Sequence, residues 1–420
     1  MTRTVRHFSL HRIAGARPGL GEGTELRVVA DVEAGVLPVI QAEEAVIRGY
    51  ISTEFRNSKP VLSPAEVSGV RIPYWPHRWV TLFVLEDLQP LVRQLRLGVA
   101  PASLTTLGPA LGHPRRGEPA RGQALWLRNR QPLSPESAAA LEYRPVVNVY
   151  DLADLTGCNI FANRRAMVEQ GYWDDPLALR GLLAHEHAHP LAENETARAS
   201  RQLQLEIQWK EEEPGRRGDA ETRTVTLPHL HRVPMLQVLA SLAEKLCLYA
   251  PREIFANEVT IQSGFADGLL HLNLRNVDNA GRSVSGRDAL VQQLRQEAAQ
   301  GNLTPAAADL VLLVGDLSGY LDLALEVAPF YRAGRVADAG SLETALQTTV
   351  FPHLDRLVPQ AFADLRDRYI DLRTDLTGPE LLLWGQGVLD TLTGASAEKG
   401  LKIAYRLSLM ADGSWLMADG

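Results

Sequence analysis

Gly181-Leu182-Leu183-Ala184-His185-Glu186-His187-Ala188-His189-Pro190-Leu191 is the stretch on which the reading of this chain turns. It contains His-Glu-x-x-His, from His185 to His189. On a helix advancing about 100° per residue these two imidazoles fall one turn and about 40° apart, so both can grip one ion with Glu186 beside them. The pattern suits zinc. An ion held by neutral imidazoles keeps an open position for water, and an adjacent carboxylate can take that water's proton as it attacks a carbonyl carbon. Glu186 is the base in this reading. His187 lies about 200° from His185 around the same helix and is expected to pack or hydrogen-bond behind the site.

The residues on either side support a helix. Asp175-Pro176 reads as an N-cap followed by proline at the first helical position, and Leu179, Leu182 and Leu183 form an apolar face. Pro190 cannot donate the backbone hydrogen bond to the carbonyl of Glu186, so the helix is expected to kink or end there.

Beyond this stretch, 420 residues exceed one ordinary core, and 45% hydrophobic with 22% charged residues is the composition of a soluble globular protein. A net charge of −7 gives no electrostatic reason to expect nucleic-acid or membrane binding. Cys158 and Cys247 are the only cysteines, too few for a disulfide framework and without the spacing of a thiolate zinc site, which points to a reducing, cytoplasmic setting. The first ten residues lack an apolar run, so no export is implied. Asp309, Asp316 and Asp322 interrupt the longest apolar stretch and argue against a membrane span.

The pattern along the chain is α+β. Residues 1–130 form an N-terminal α+β region, with strands at Phe8–Ile13, Leu26–Val32 and Trp79–Leu85, a helix at Val39–Ile51 and an amphipathic segment at Leu88–Leu97. A Pro, Gly, Ser and Arg-rich tract at 100–122 reads as a linker or loop. Residues 131–280 carry two strands, Pro145–Leu152 and Cys158–Ala162, that feed the motif helix. Residues 281–400 read as a helical domain, with helix entries at Ser285, Thr304-Pro305, Ser341 and Gly378-Pro379 and stops at Gly301 and Gly334. In residues 401–420, alternation at Ile403, Tyr405, Leu407 and Leu409 before Asp412-Gly413 signals a hairpin, within which Leu-Met-Ala-Asp-Gly occurs twice. The charged tract 210–218 reads as a solvated loop, and His229 and His231 alternate as on a strand.

Asn148-Val149-Tyr150, Asn159-Ile160-Phe161-Ala162-Asn163, Asp175-Pro176-Leu177 and Leu182-Leu183-Ala184-His185-Glu186 together resemble the strand, strand, active-site helix order of gluzincin zinc peptidases, most closely the HtpX and CAAX-protease type and the ImmA/IrrE type. The resemblance covers residues 145–265. In that clan a second helix supplies a glutamate as third zinc ligand within Glu-x-x-Ala-Asp or Glu-x-x-Ala-Asn, and this chain has Glu253-Ile254-Phe255-Ala256-Asn257. The resemblance implies zinc on His185, His189 and Glu253, with Asn257 orienting a ligand histidine. It further implies an oxyanion stabiliser downstream, for which His271 and Tyr249 compete. Proline after the second motif histidine and histidine at 187 depart from the clan's pattern.

Glu195 is the rival third ligand, because it lies six residues after His189, where the metzincin pattern places its last ligand. Ala192 replaces the glycine that would turn that chain, and the residues from Glu195 into Leu203, Leu205 and Ile207 read as helix. Pro251, by contrast, can open a helix that carries Glu253 and Asn257 on one face. The expectation is therefore an α+β zinc peptidase acting on a protein or peptide substrate. A regulatory or scaffold protein that keeps the peptidase fold and acts by partner binding is the alternative.

Overall fold

The computed structural model describes residues 6–13, 23–32, 34–57, 75–89, 142–151, 154–209 and 229–409. Strand β1 (His7–Ile13) alternates exposed and covered residues as an edge strand does, and is followed by β2 (Thr24–Ala30), α1 (Val36–Asn57) and β3 (Trp79–Leu85). Next come β4 (Val146–Asp151), β5 (Asp154–Asn163), α2 (Arg164–Glu169), α3 (Pro176–Leu191), α4 (Glu195–Ser200) and β6 (Leu203–Trp209). The remainder is helical: α5 (His229–Ala243), a π-helical turn (Glu244–Tyr249), α6 (Ala250–Thr260) and a second π-helical turn (Ile261–Phe265). It continues with α7 (Ala266–Ala299), α8 (Pro305–Tyr320), α9 (Ala324–Arg332), α10 (Val336–Thr349), α11 (Leu357–Ile370) and α12 (Gly378–Glu398), before β7 (Ile403–Leu409).

The main sheet has the order β1-β2-β3-β5-β4. Its inner strands β2, β3 and β5 run parallel, and β1 and β4 are antiparallel edges. A parallel interior strand is covered on both faces, which explains why β3 is an unbroken run of apolar and β-branched residues with its five inner positions buried. Phe83 and Phe161 sit opposite each other in the register and stack at 4.7 Å.

Helix α3 is buried on most of its circumference, as its Leu and Ala content dictates. It packs on α1, α6, α7 and β4. Tyr50 on α1 donates to the carbonyl of Ala184 at 2.7 Å. Against α7 the approach is closer still: a Cβ on Gly181 would stand 2.4 Å from the carbonyl oxygen of Gly268, so only glycine fits this crossing. Between α6 and α7 the helical path breaks at Gly264, whose φ of 94° is open to glycine.

The molecule is α+β in general character, with a mixed sheet and a large helical portion. The sheet itself spans residue 130, with β3 pairing with β5 along its whole length, and the domain division is not decided by this. Several expectations need correction. Leu203, Leu205 and Ile207 lie on strand β6 rather than a helix, their spacing of two being the strand period. β7 pairs with β6, and 410–420, with the repeat and its turn, lie outside the described residues. His229 and His231 open α5 instead of lying on a strand.

Thr304, Gly301, Gly334 and the Gly378 entry mark helix ends as read, with Thr377 and Glu380 completing a capping box before α12. Ser285 and Ser341 are interior to α7 and α10. The Ser341 hydroxyl donates to the carbonyl of Ala337 at 2.9 Å, the back-bond that lets serine sit inside a helix. The 100–122 tract, most of Leu88–Leu97 and the 210–218 loop lie outside the described residues. Among the described residues no helix is long and apolar enough to cross a membrane.

Candidate metal site

The site is built where α3 ends. Asp175 caps that helix, its carboxylate accepting from the backbone N–H groups of Leu177 at 3.2 Å and Ala178 at 3.1 Å, and Pro176 follows as the first helical residue. Three to four turns on, His185 and His189 stand one above the other with ring centroids 4.7 Å apart. Glu253 reaches them from α6. Its Oε2 lies 3.2 Å from Nε2 of His185 and 3.8 Å from Nε2 of His189. The three potential ligand atoms all fall within 4.8 Å of one another, the spacing of donors around one ion. The side chains stay 14, 17 and 30% exposed, so solvent or a substrate can still reach the centre.

Pro190 is accommodated by a side chain from the sheet. A residue with a backbone N–H at 190 would donate to the carbonyl of Glu186, and here Nδ2 of Asn148, on edge strand β4, donates to that carbonyl at 2.9 Å. The amide thus satisfies the group that proline orphans and fastens β4 against the motif. Helix α3 ends at Leu191, one residue beyond the proline.

Electrostatics separate the three acceptors. Burial would lower His185, but its hydrogen bond to Glu253 and the charges of Glu253 and Glu186 outweigh this, and it stays above its ordinary value. Burial, together with His185, Arg252 and Arg144, pulls His189 down to about 3, against the attraction of Glu253. Glu253 resists its own burial because His189, His185 and Arg144 surround it, and it is held far below the usual carboxylate range. Glu186 is pushed up by burial, with His185 and Arg144 opposing. A carboxylate poised upward in this way is suited to accepting and returning a proton.

Asn257 sits one turn beyond Glu253, buried, with its amide donating to the carbonyl of Leu325 at 3.3 Å. Its side chain bears electrostatically on His185, whose Nδ1 has no hydrogen bond of good geometry among the described residues. Glu195 opens α4 and is not among the converging atoms. Tyr249 is one turn before Glu253 on the π-helical turn, 41% exposed, with the Arg252 guanidinium 5.1 Å over its ring.

His271 is not at this centre. Its Nε2 bonds Asp175 at 2.7 Å, at the opposite end of α3 and some 15 Å from the motif by helical rise. The reason is that α7 packs along α3, and His271 and Arg275, four residues apart on one face, both reach the cap. These partners hold the Asp175 carboxyl below its ordinary value although burial raises it. A depressed folded-state pKa adds stability above the unfolded value near 3.9 that is lost as pH falls through the folded one. Asp175→Asn, which keeps a capping oxygen, should therefore cost about 1 kcal/mol at pH 7, since both partners are over a third exposed and screened. Urea unfolding at pH 7 and below pH 3 checks this, and the two proteins should converge at the acid end.

Three contributors escaped the sequence reading. Arg144, just before β4, places its charge on Glu186, His189 and Glu253. Arg252 acts on His189. Glu326 of α9, enclosed near His185 and hydrogen-bonded by Asn276 at 2.8 Å, is raised to about 8 by burial and Asp322. Only tertiary packing brings these groups in. Asn148 was visible as the partner for the carbonyl that Pro190 frees, had the orphan been traced.

Comparison with known proteins yields no match, whether against family models, curated proteins or solved structures.

Proposed function

We propose that this chain is a zinc-dependent peptidase of gluzincin type. The observation that carries the proposal is the convergence of His185 Nε2, His189 Nε2 and Glu253 Oε2 from two helices, with Glu186 beside them on an approachable face. Two imidazoles, one carboxylate and room for a further ligand form the donor set of a catalytic rather than a structural zinc. Zinc bound there supplies a Lewis acid and an acidified water.

The protein's own residues do the rest. Glu186 accepts the proton of the attacking water and delivers it to the leaving amine. Glu253 would complete the ligand set from α6 and neutralise part of the ion's charge. Arg144 and Arg252 supply positive charge where an oxyanion develops, beside Tyr249 as the hydroxyl candidate. Among the described residues β4 is an edge strand paired with β5, and that edge is where an extended peptide would be added as a strand. Asn148 holds that edge against the motif, so a strand laid on it passes the metal-binding side chains. This arrangement supports a protein or peptide substrate.

The test is zinc content by difference. His189→Ala and Glu253→Ala should each lower bound zinc by one ion per chain relative to the parent, and Glu195→Ala should not. Unchanged zinc in the first two overturns the proposal. An ion that is present without cleavage of any peptide in a diverse quenched-fluorescent library would favour the partner-binding alternative.

A further inference from the structure

Behind the candidate site, on the far side of α3, lies a second group of donors. His77 precedes β3, Cys158 is on β5 and His187 is on α3 between the two motif histidines. Their potential ligand atoms all lie within 4.8 Å of one another, and the residues are 2, 0 and 0% exposed.

Both imidazoles are oriented from outside. Nδ1 of His77 lies 2.7 Å from the carbonyl of Leu155, which can only accept, so the proton is on Nδ1 and Nε2 carries the lone pair. That Nε2 is buried and has no partner among the described residues. Nε2 of His187 lies 2.6 Å from Oε1 of the fully buried Glu43; with Glu43 as carboxylate Nε2 is the donor, which leaves Nδ1 facing Sγ of Cys158 at 4.0 Å. Two inward lone pairs thus share one thiol proton, and Oε2 of Glu43 has no partner among the described residues. In a buried cluster such a deficit of donors and surplus of negative charge is costly.

We propose that His77 Nε2, Cys158 Sγ and His187 Nδ1 bind a second zinc ion, enclosed away from substrate and with a water as fourth ligand, and that Glu43 is the outer carboxylate that orients His187. The charges balance: on binding, the thiol gives its proton to solvent, and thiolate and carboxylate together neutralise a divalent cation. A carboxylate–histidine–metal arrangement is the usual second layer of such sites. Thiolate with imidazole selects zinc or cuprous ion over hard cations. Zinc bonds of about 2.3 Å to sulfur and 2.0 Å to nitrogen imply a tetrahedral S to N separation of roughly 3.5 Å. The observed 4.0 Å needs only a small side-chain adjustment. Trp75 packs against both rings, 4.7 Å from His77 and 5.2 Å from His187, and closes the cluster to bulk solvent. The ion would pin α3, which carries the catalytic candidates, to the sheet.

This proposal does not rest on the peptidase reading, and cobalt alone serves as the probe. Full-length protein, reduced, stripped of metal and titrated with Co2+, should develop thiolate-to-cobalt charge-transfer absorption that saturates at one ion per chain. Cys158→Ser should bind one ion fewer and lose that absorption. A His189→Ala, Glu253→Ala double variant should keep it. Should Cys158→Ser fail to fold, His77→Gln and the parent spectrum still decide. No thiolate band in the parent, or a band that survives removal of Cys158, overturns the assignment.

Discussion

Glu186→Gln retains its metal and fold but cleaves peptide bonds some 10²–10⁴-fold more slowly, the usual contribution of a positioned general base. The amide matches the carboxylate in shape and cannot accept the proton. Two features make the result interpretable. The backbone of residue 186 is held by Asn148 and by helix α3, independently of its side chain. The carboxylate is not among the converging ligand atoms, so its loss leaves the donor set intact. Turnover of a library-selected peptide, measured with zinc content on the same samples, checks it. Parental turnover in the Gln variant would remove Glu186 from the mechanism.

Glu258→Ala destabilises the protein by about 3–5 kcal/mol, because it strands a buried guanidinium. Glu258 on α6 is fully buried, and its Oε2 bonds Nε of Arg332 on α9 at 2.9 Å. Arg332 is 6% exposed, donates also to the carbonyl of Ile370 at 2.9 Å and lies over the Phe255 ring at 5.4 Å. The pair therefore joins the glutamate-bearing helix to α9 and α11. Removing one partner leaves the other's charge without its counterion in a low dielectric. Replacing both, as Glu258→Leu with Arg332→Met, should recover much of the loss, which equilibrium denaturation can establish. A single variant as stable as the parent would mean that solvent reaches the guanidinium.

How far these features could be read from the sequence depends on the range over which each is encoded. Asp175-Pro176 and the His185 to His189 spacing are local, and the structure places cap, helix and paired imidazoles as their periodicity requires. Glu253 sits on another helix, yet Pro251 and the four-residue spacing to Asn257 marked its face, and that face meets the histidines. His271 failed because helix periodicity tells which face a residue shares and not where along a partner helix it lands. Cys158 shows a limit of the same kind: spacing between cysteines reveals thiolate sites made within one segment, whereas His77, Cys158 and His187 meet only after a parallel sheet and a helix have packed. The β6 segment reads as helix because Ala-rich residues at 197–199 carry helix propensity into a stretch whose period has already changed to two.

The β6–β7 ribbon also has a kinetic meaning. Its register joins Leu203 to Leu409 and Trp209 to Ile403, a loop on the order of two hundred residues, so the pairing entropy is repaid only after that loop closes. At roughly 5–20 residues per second of synthesis, the segment just past the motif helix waits about 10–40 s for its partner strand. During that interval the helix bearing His185 and His189 can meet its sheet and α6, while β6 remains an unpaired edge. Nascent chains halted before residue 403 should therefore be the form most prone to self-association.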